Sequence, residues 1–232
     1  MNQPGIKPIR ILVVDDHDLV RQGLSRVISD EQDMDVIGQA SSGEHAISQL
    51  QTEQPDVILM DVKMPGMGGI EATYRILEQF PHIRIVAISS IDIGVIPTQM
   101  LAAGALAFIT KSAAVEELLT AIRSVYAGRH YVTETVATHL ATDPFNRRKK
   151  RLFEKLSQRE LQIAMLLSDG QRVSAISELL ELSPKTVYSY RYRIFEKLGI
   201  KSDVELTILA MKNGLCESSD DILSYGELRK SG

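Results

Sequence analysis

Three short apolar runs, each ending at an ionisable residue, constrain the fold of this 232-residue chain more than any other feature. The first run ends at Asp15 and Asp16, the second at Asp61 and the third at Lys111. Runs of four or five apolar residues bounded by turn signals are typical of strands buried on both faces of a parallel sheet. Groups just beyond the carboxyl ends of such strands gather in one crevice. We therefore expect three carboxylates and one ammonium group to surround a single point.

The chemistry of such a cluster indicates a magnesium-dependent reaction with phosphate. Three carboxylates around one point repel one another unless a hard cation lies among them, and a partly open set of oxygen ligands suits Mg²⁺. A carboxylate, a Mg²⁺ and a lysine ammonium together can receive a phosphoryl group. The sequence thus predicts that the chain is phosphorylated on an aspartate.

The first 127 residues alternate between strand and helix patterns. Strands are predicted at residues 9–14, 35–40, 56–60, 84–89 and 106–110. Helices are predicted to begin near His17, Gly43, Gly69 and Asp92, with a fifth from Val115 to Tyr126. Five strands that are each followed by a helix predict an α/β fold with a doubly wound, five-stranded parallel sheet.

The remainder of the chain has a different charge and a different pattern. Residues 1–146 carry a net charge of −8, whereas residues 147–216 carry +6, so the second part is a candidate for binding nucleic acid. From residue 156 to residue 216 we predict an all-α domain with helices at 158–168, 173–181, 184–198 and 203–213. Two Ser-x-x-Glu capping boxes begin at Ser157 and Ser202, and Ser183-Pro184 is a cap followed by a proline in the first turn.

Between and after these parts, the pattern predicts connecting segments. Residues 128–155 are interpreted as a linker with a weakly helical stretch at 131–141, a turn at 143–146 and a basic run at 147–151, and residues 217–232 as a disordered tail. No stretch approaches about 20 uninterrupted apolar residues, so we expect no membrane span. The single cysteine, Cys216, excludes an internal disulfide. Together with an N-terminus that lacks a secretion signal, this predicts a cytoplasmic protein.

In motif order, residues 9–127 resemble the receiver domain of two-component response regulators, which has a flavodoxin-like fold. The resemblance implies that Asp61 is the phosphoacceptor, that Lys111 contacts the phosphoryl group, and that Ser89 and Phe108 are the switch residues. It also implies a Mg²⁺ held by Asp15, Asp16, Asp61 and a backbone carbonyl, which we assign to Lys63. The loop Met64-Pro65-Gly66 fits the family, whereas many receivers carry a smaller or neutral side chain at the position of Lys63.

Residues 156–213 resemble the LuxR/FixJ-type helix-turn-helix domain, on the segments Leu156–Glu160, Leu182–Val187 and Lys197–Gly199. In helix 184–198, Val187, Ile194 and Leu198 are predicted to form the buried stripe. The opposite face carries side chains suited to the major groove of duplex DNA. The residues predicted to contact DNA are Lys185, Thr186, Tyr188, Ser189, Tyr192 and Arg193.

Together the two resemblances indicate the NarL/FixJ family, and the segments at 156–163, 183–193 and 203–207 are similar to its GacA/UvrY/LetA group. This implies a transcription factor that a sensor histidine kinase, of the hybrid type, phosphorylates and that forms a homodimer on DNA. Two alternatives remain open from the residues. One is a Mg²⁺-dependent phosphohydrolase with an aspartyl nucleophile, although Lys63 holds the place of its acid/base residue. The other is a receiver joined to a domain that binds RNA or protein.

Overall fold

The computed structural model of the chain describes residues 7–91, 94–142, 152–153 and 155–215. The chain divides into two compact units, Met1–Ser90 with Pro97–Leu140 and Ile91–Ile96 with Ala141–Gly232. The predicted turn at 143–146, the basic run at 147–151, Cys216 and the tail at 217–232 lie outside the described residues. Among the helices that are described, none is both long and apolar enough to cross a bilayer.

A parallel sheet forms the centre of the first unit. Its strands are β1 (Ile9–Val14), β2 (Met34–Ala40), β3 (Val57–Asp61), β4 (Arg84–Ser89), β5 (Ala107–Thr110) and β6 (Tyr131–Val132). They lie in the order β2-β1-β3-β4-β5-β6, and each neighbouring pair is parallel. This confirms the five predicted strands and the doubly wound parallel class, because the order reverses direction at β1.

The sixth strand corrects the predicted strand number and part of the predicted linker. Tyr131 and Val132 pair with Ala107 and Phe108 of β5 at the edge of the sheet. A two-residue strand with both side chains half-buried is too short to produce an alternating or an apolar pattern. The helical stretch expected over 131–141 therefore begins only after this strand.

Helices alternate with the strands along the chain, and a sixth helix follows β6. They are α1 (Asp18–Ser29), α2 (Gly43–Leu50), α3 (Gly69–Gln79), α4 (Val95–Ala102), α5 (Val115–Tyr126) and α6 (Glu134–Thr142). All five residues of β3 are buried, as expected of a central strand covered on both faces. On one face, Ile11, Leu59 and Ile88 of the sheet share a core cluster with Leu118 and Ile122 of α5.

Residues 155–215 of the second unit contain four helices, in agreement with the predicted all-α domain. They are α7 (Gln158–Ser168), α8 (Val173–Leu179), α9 (Pro184–Leu198) and α10 (Asp203–Lys212). Helix α8 ends earlier than predicted because the chain turns at Glu181, a non-glycine residue with a left-handed φ of 51°. In α9, Val187, Ile194 and Leu198 are buried, which confirms the predicted stripe.

The serine caps define where these helices begin. At α7 the Ser157 hydroxyl accepts the Glu160 N–H and the Glu160 carboxylate accepts the Ser157 N–H, so the predicted capping box is complete. At α10 only half of the predicted box forms. Ser202 accepts the Glu205 N–H, but the Glu205 carboxylate accepts the N–H of Lys201 instead.

Candidate functional site

The acidic site lies at the carboxyl ends of β1 and β3. Asp61 is the last residue of β3, and Asp15 follows directly after β1, its neighbour in the sheet. Both carboxylates are almost completely buried, with side chains 2% exposed. Parallel pairing of Val14 with Met60 brings the two strand ends to the same edge of the sheet, as the sequence predicted.

Lys111 joins this pair from the end of β5. Its backbone N–H donates to the Ser89 carbonyl at 2.8 Å, which fixes the start of the side chain beside β4. Its Nζ donates to Asp15 Oδ2 at 2.8 Å and to Asp61 Oδ2 at 3.0 Å. The ammonium group therefore bridges both buried carboxylates, and the three strand ends form one charged site.

The ionisation of Asp61 reflects its burial among charged neighbours. Its pKa is raised to about 6, mainly because burial disfavours the charged form; the attraction of Lys111 lowers it, and the smaller repulsion from Asp15 raises it. The Lys111 pKa shows the other side of this balance. Burial alone would lower it, but the charges and hydrogen bonds of Asp61 and Asp15 raise it overall.

Asp16 adds a third carboxylate with an unsatisfied oxygen. Its Oδ1 is buried and accepts no hydrogen bond from the described residues, although His17 Nδ1 lies 3.0 Å away. One potential ligand atom from each of Asp15, Asp16, His17 and Asp61 lies within 4.8 Å of all the others. A buried carboxylate oxygen without a donor beside two further carboxylates fits a hard divalent cation, so these residues could hold a metal ion.

The structure also locates Lys63, Ser89 and Phe108. The Lys63 N–H donates to Asp61 Oδ1 at 3.4 Å, while the role of its carbonyl as a ligand stays a prediction. Ser89 ends β4 and is buried beside the strand that carries Phe108. The Phe108 ring is fully buried in this conformation. Movement of the ring therefore stays a prediction.

Two features of the site were missed by the sequence analysis. One is the direction of the His17 ring: the sequence put this residue at the start of the first helix and gave it no catalytic role, whereas its ring faces the acid pair. The other is Gly69, the first residue of α3, where a Cβ atom would lie only 2.1 Å from the Asp61 carbonyl oxygen. The spacing Gly66, Gly68, Gly69 was the available signal for so close a return of the chain to Asp61.

The candidate DNA-contact face lies on α9. Tyr192 and Tyr188 are 70% and 56% exposed, an unusual position for large aromatic rings. Lys185, Ser189 and Arg193 are exposed beside them. All five lie away from the buried stripe, although the Ser189 hydroxyl donates to the Lys185 carbonyl at 3.0 Å.

Thr186 differs from the other five candidates on this helix. It is half-buried, its N–H donates to the Ser183 hydroxyl, and the two hydroxyl oxygens lie 2.7 Å apart. These contacts assign it to the cap of α9. Its contact with DNA stays a prediction that requires the hydroxyl to leave this partner.

Ion pairs fix α9 against its neighbours in a way that the sequence pattern did not show. Arg191 donates from Nε and Nη2 to the two carboxylate oxygens of Asp203 at 2.7 and 2.6 Å, which ties α9 to α10. Lys197 Nζ donates to Glu160 at 2.6 Å and so ties α9 to α7. Both cations therefore support the helix and are not part of its exposed basic face.

Comparison with known proteins agrees with both sites. Residues 11–123 match the model of the response regulator receiver domain, and residues 154–210 match that of the bacterial regulatory proteins of the luxR family. The response regulator GacA of Pseudomonas protegens is 48% identical over 91% of this chain and 99% of its own length. The chain belongs to the LuxR-type response regulators.

Other relatives extend this likeness. The response regulator UvrY of Escherichia coli K12 is 44% identical over 90% of this chain and 97% of its own. Among solved structures, RcsB from Salmonella enterica serovar Typhimurium bound to promoter P1flhDC has a TM-score of 0.66, with 22% identity over 88% of this chain and 98% of that chain. At that identity the likeness shows the fold.

The family assignment gives the two sites their function. The chain is a transcription regulator in which a receiver domain controls a LuxR-type DNA-binding domain through phosphorylation. The family is one of regulators rather than classical enzymes, so the regulator prediction is favoured over the phosphohydrolase alternative.

Proposed function

We propose that Asp61 accepts a phosphoryl group from a sensor histidine kinase, and that this modification promotes homodimerisation and binding of duplex DNA by α9. The observation that carries the proposal is the bridge from Lys111 Nζ to Asp15 and Asp61, at 2.8 and 3.0 Å. A buried carboxylate, a fixed cation and a second carboxylate thus lie at one sheet edge, which supports the role of Asp61 as nucleophile.

Asp61 is the nucleophile of the transfer. A carboxylate oxygen attacks phosphorus while the bond from phosphorus to the imidazole nitrogen of the donor breaks, and the electron pair of that bond stays on the nitrogen. The product is an acyl phosphate. Because burial raises the pKa of Asp61 only to about 6, the carboxylate is largely ionised at neutral pH and can attack.

Lys111 stabilises the charge that collects on the phosphoryl oxygens. An ammonium group has three N–H donors, and two of them are used by Asp15 and Asp61 in this structure. The third can donate to a phosphoryl oxygen without the loss of either contact. Lys111 therefore needs no rearrangement to serve the transfer.

Asp15, Asp16 and Asp61, with the main-chain carbonyl of Lys63, would hold Mg²⁺. The ion would supply neutralisation of the negative charge on the phosphoryl oxygens. The unsatisfied Asp16 Oδ1 supports this assignment because it is the oxygen that lacks a donor within the described residues.

Ser89 and Phe108 would transmit the modification. The Ser89 hydroxyl donates to a phosphoryl oxygen, and the adjacent volume is filled by the Phe108 ring on β5. These two contacts differ between the free and the phosphorylated site, and only such differences shift a conformational equilibrium. The result is a changed surface formed by the fourth and fifth strand–helix units.

On DNA, α9 would occupy the major groove with its exposed face. Lys185 and Arg193 neutralise phosphates or read guanine, while Tyr188, Ser189 and Tyr192 add shorter contacts. One helix reads few bases, so a homodimer on two half-sites about one helical turn apart, or a multiple of it, is the expected complex. We place these events in the cytoplasm, with a hybrid histidine kinase as the phosphodonor.

Intact-mass measurement of the full chain after incubation with acetyl phosphate and Mg²⁺ tests the phosphoacceptor. We expect one added phosphoryl group that is labile to hydroxylamine, no addition to Asp61→Asn, and no addition in EDTA. Asp35→Asn, which changes an exposed carboxylate in β2, is the matched control and should react like the wild type. Reaction of Asp61→Asn at the wild-type rate would show that another residue is the acceptor.

A further inference from the structure

His17 places a nitrogen ligand at the edge of the acidic site. It is the N-cap of α1, with extended backbone, and its N–H donates to Asp15 Oδ1 at 2.8 Å. Its ring Nδ1 lies 3.0 Å from Asp16 Oδ1 and 3.4 Å from Asp15 Oδ1. Because the side chain is 65% exposed, burial does not force the ring into this position.

The carboxylate oxygens of the acidic site have different neighbours. The Oδ2 atoms of Asp15 and Asp61 both accept from Lys111. The opposite oxygen of Asp15 faces the His17 ring, together with the Asp16 oxygen to which none of the described residues donates. One nitrogen and two carboxylate oxygens therefore converge on the side of the site away from Lys111.

We propose that this side of the site binds a first-row transition-metal ion, with the His17 imidazole as a ligand beside Asp15 and Asp16, in competition with Mg²⁺. Imidazole nitrogen suits ions such as Co²⁺, Ni²⁺ and Zn²⁺, whereas Mg²⁺ prefers carboxylate, carbonyl and water oxygens. His17 therefore raises the affinity for the transition metals and leaves that for Mg²⁺ nearly unchanged. The inference rests on the proposed function only in that Asp15 and Asp16 are taken as metal ligands.

Calorimetric titration of the full chain with Co²⁺ and, separately, with Mg²⁺ tests the proposal. His17→Asn is the informative variant because asparagine is a favoured N-cap residue, so α1 keeps its first turn while the ring nitrogen is lost. We expect the affinity for Co²⁺ to fall about tenfold or more and the affinity for Mg²⁺ to change less than about twofold. His82→Asn removes another exposed histidine, which contacts Gln54, and should change neither value.

Proton NMR of the histidine ring C–H groups gives a second readout. Co²⁺ should shift the His17 signals strongly, and excess Mg²⁺ should reverse the shift. Equal Co²⁺ affinity of wild type and His17→Asn would overturn the proposal, as would an equal loss of affinity for both ions, which would make His17 a structural residue. A failure of the proposed phosphoacceptor role can be told apart from these outcomes, because the wild type would then not be labelled by acetyl phosphate.

Discussion

Removal of the Asp61 charge should stabilise the receiver domain. Burial of this carboxylate, with Asp15 beside it, raises its pKa from 3.8 to about 6 in the folded protein. A carboxyl group whose pKa is raised by folding favours the folded state in its protonated form. Its contribution to stability is complete below about pH 3.8 and is lost as the pH rises through about 6. Above that range the ionised Asp61 lowers the free energy of unfolding, and Asp61→Asn removes this effect.

The size of the effect follows from the shift. Each pKa unit corresponds to about 1.4 kcal/mol, so the rise from 3.8 to about 6 corresponds to about 3 kcal/mol at pH 7.5. At pH 5, where the folded carboxyl is mostly protonated, the cost falls to about half of that. Asp61→Asn should therefore be the more stable protein, by a margin that doubles between these two pH values. Lys111 remains charged throughout and its contact with Asp15 is retained.

Hydrogen exchange of the β3 and β4 amides in the full chain, in EDTA, measures the free energy of opening of this domain. The exposed-site variant Asp35→Asn is the control and should show no such pH-dependent gain. Addition of Mg²⁺ should reduce the margin, because the ion binds and stabilises the folded wild type more than Asp61→Asn. A variant no more stable than the wild type at pH 7.5, or a margin that does not grow with pH, would refute the electrostatic reasoning.

Further predictions concern packing and DNA. Gly69→Ala should destabilise the receiver by about 1–3 kcal/mol or more and slow acetyl phosphate labelling, because its Cβ would lie 2.1 Å from the Asp61 carbonyl oxygen. Gly23→Ala, at an open position in α1, should stabilise by about 0.5–1 kcal/mol in the same exchange assay. In gel shifts, Lys185→Ala should weaken binding to operator DNA and to random DNA alike. Tyr192→Ala should lose about 1–3 kcal/mol of binding free energy, mainly on the operator. Preference for RNA over duplex DNA would contradict both assignments.

The fold of the receiver could be predicted where burial gives the sequence a strong pattern. The bounds of β1 and β4 match the prediction residue for residue, and the buried strand β3 is displaced by one. Strand β6 could not be found, because two half-buried residues at a sheet edge leave no periodicity. Its pairing is set by the path of the chain after α5, which is a tertiary property.

In the acidic site, the residues that could be predicted are those that lie at the ends of strands. The bridge from Lys111 to Asp15 joins residues 96 apart, yet it follows from the strand order alone, since β1, β3 and β5 end at one edge. The direction of the His17 ring and the approach of Gly69 to Asp61 depend instead on local backbone angles. The glycines at 66, 68 and 69 mark a close turn of the chain, but no pattern in the sequence gives the direction of the His17 ring.

In the DNA-binding domain, the helical period separated buried from exposed residues but did not give the partners of the charged ones. Arg191 and Arg193 are two positions apart on α9, and the helical period puts Arg191 at the border of the buried stripe and Arg193 on the predicted DNA-contact face. The bidentate pair with Asp203 commits Arg191 to the support of the helix, while Arg193 lies exposed with its guanidinium group over the Tyr190 ring. The position of α10 supplies the partner of Arg191, which the helical period could not give.

The charge of the acidic site explains why one lysine cannot complete it. When Asp15, Asp16 and Asp61 are all ionised, Lys111 leaves a formal charge of −2 among groups that are mostly buried. A divalent cation brings this to zero, and a phosphoryl group that arrives on Asp61 then adds only about one negative charge to a neutral site. Without the cation the same group would enter a site that already repels it. The Asp16 oxygen to which none of the described residues donates agrees with this deficit of positive charge.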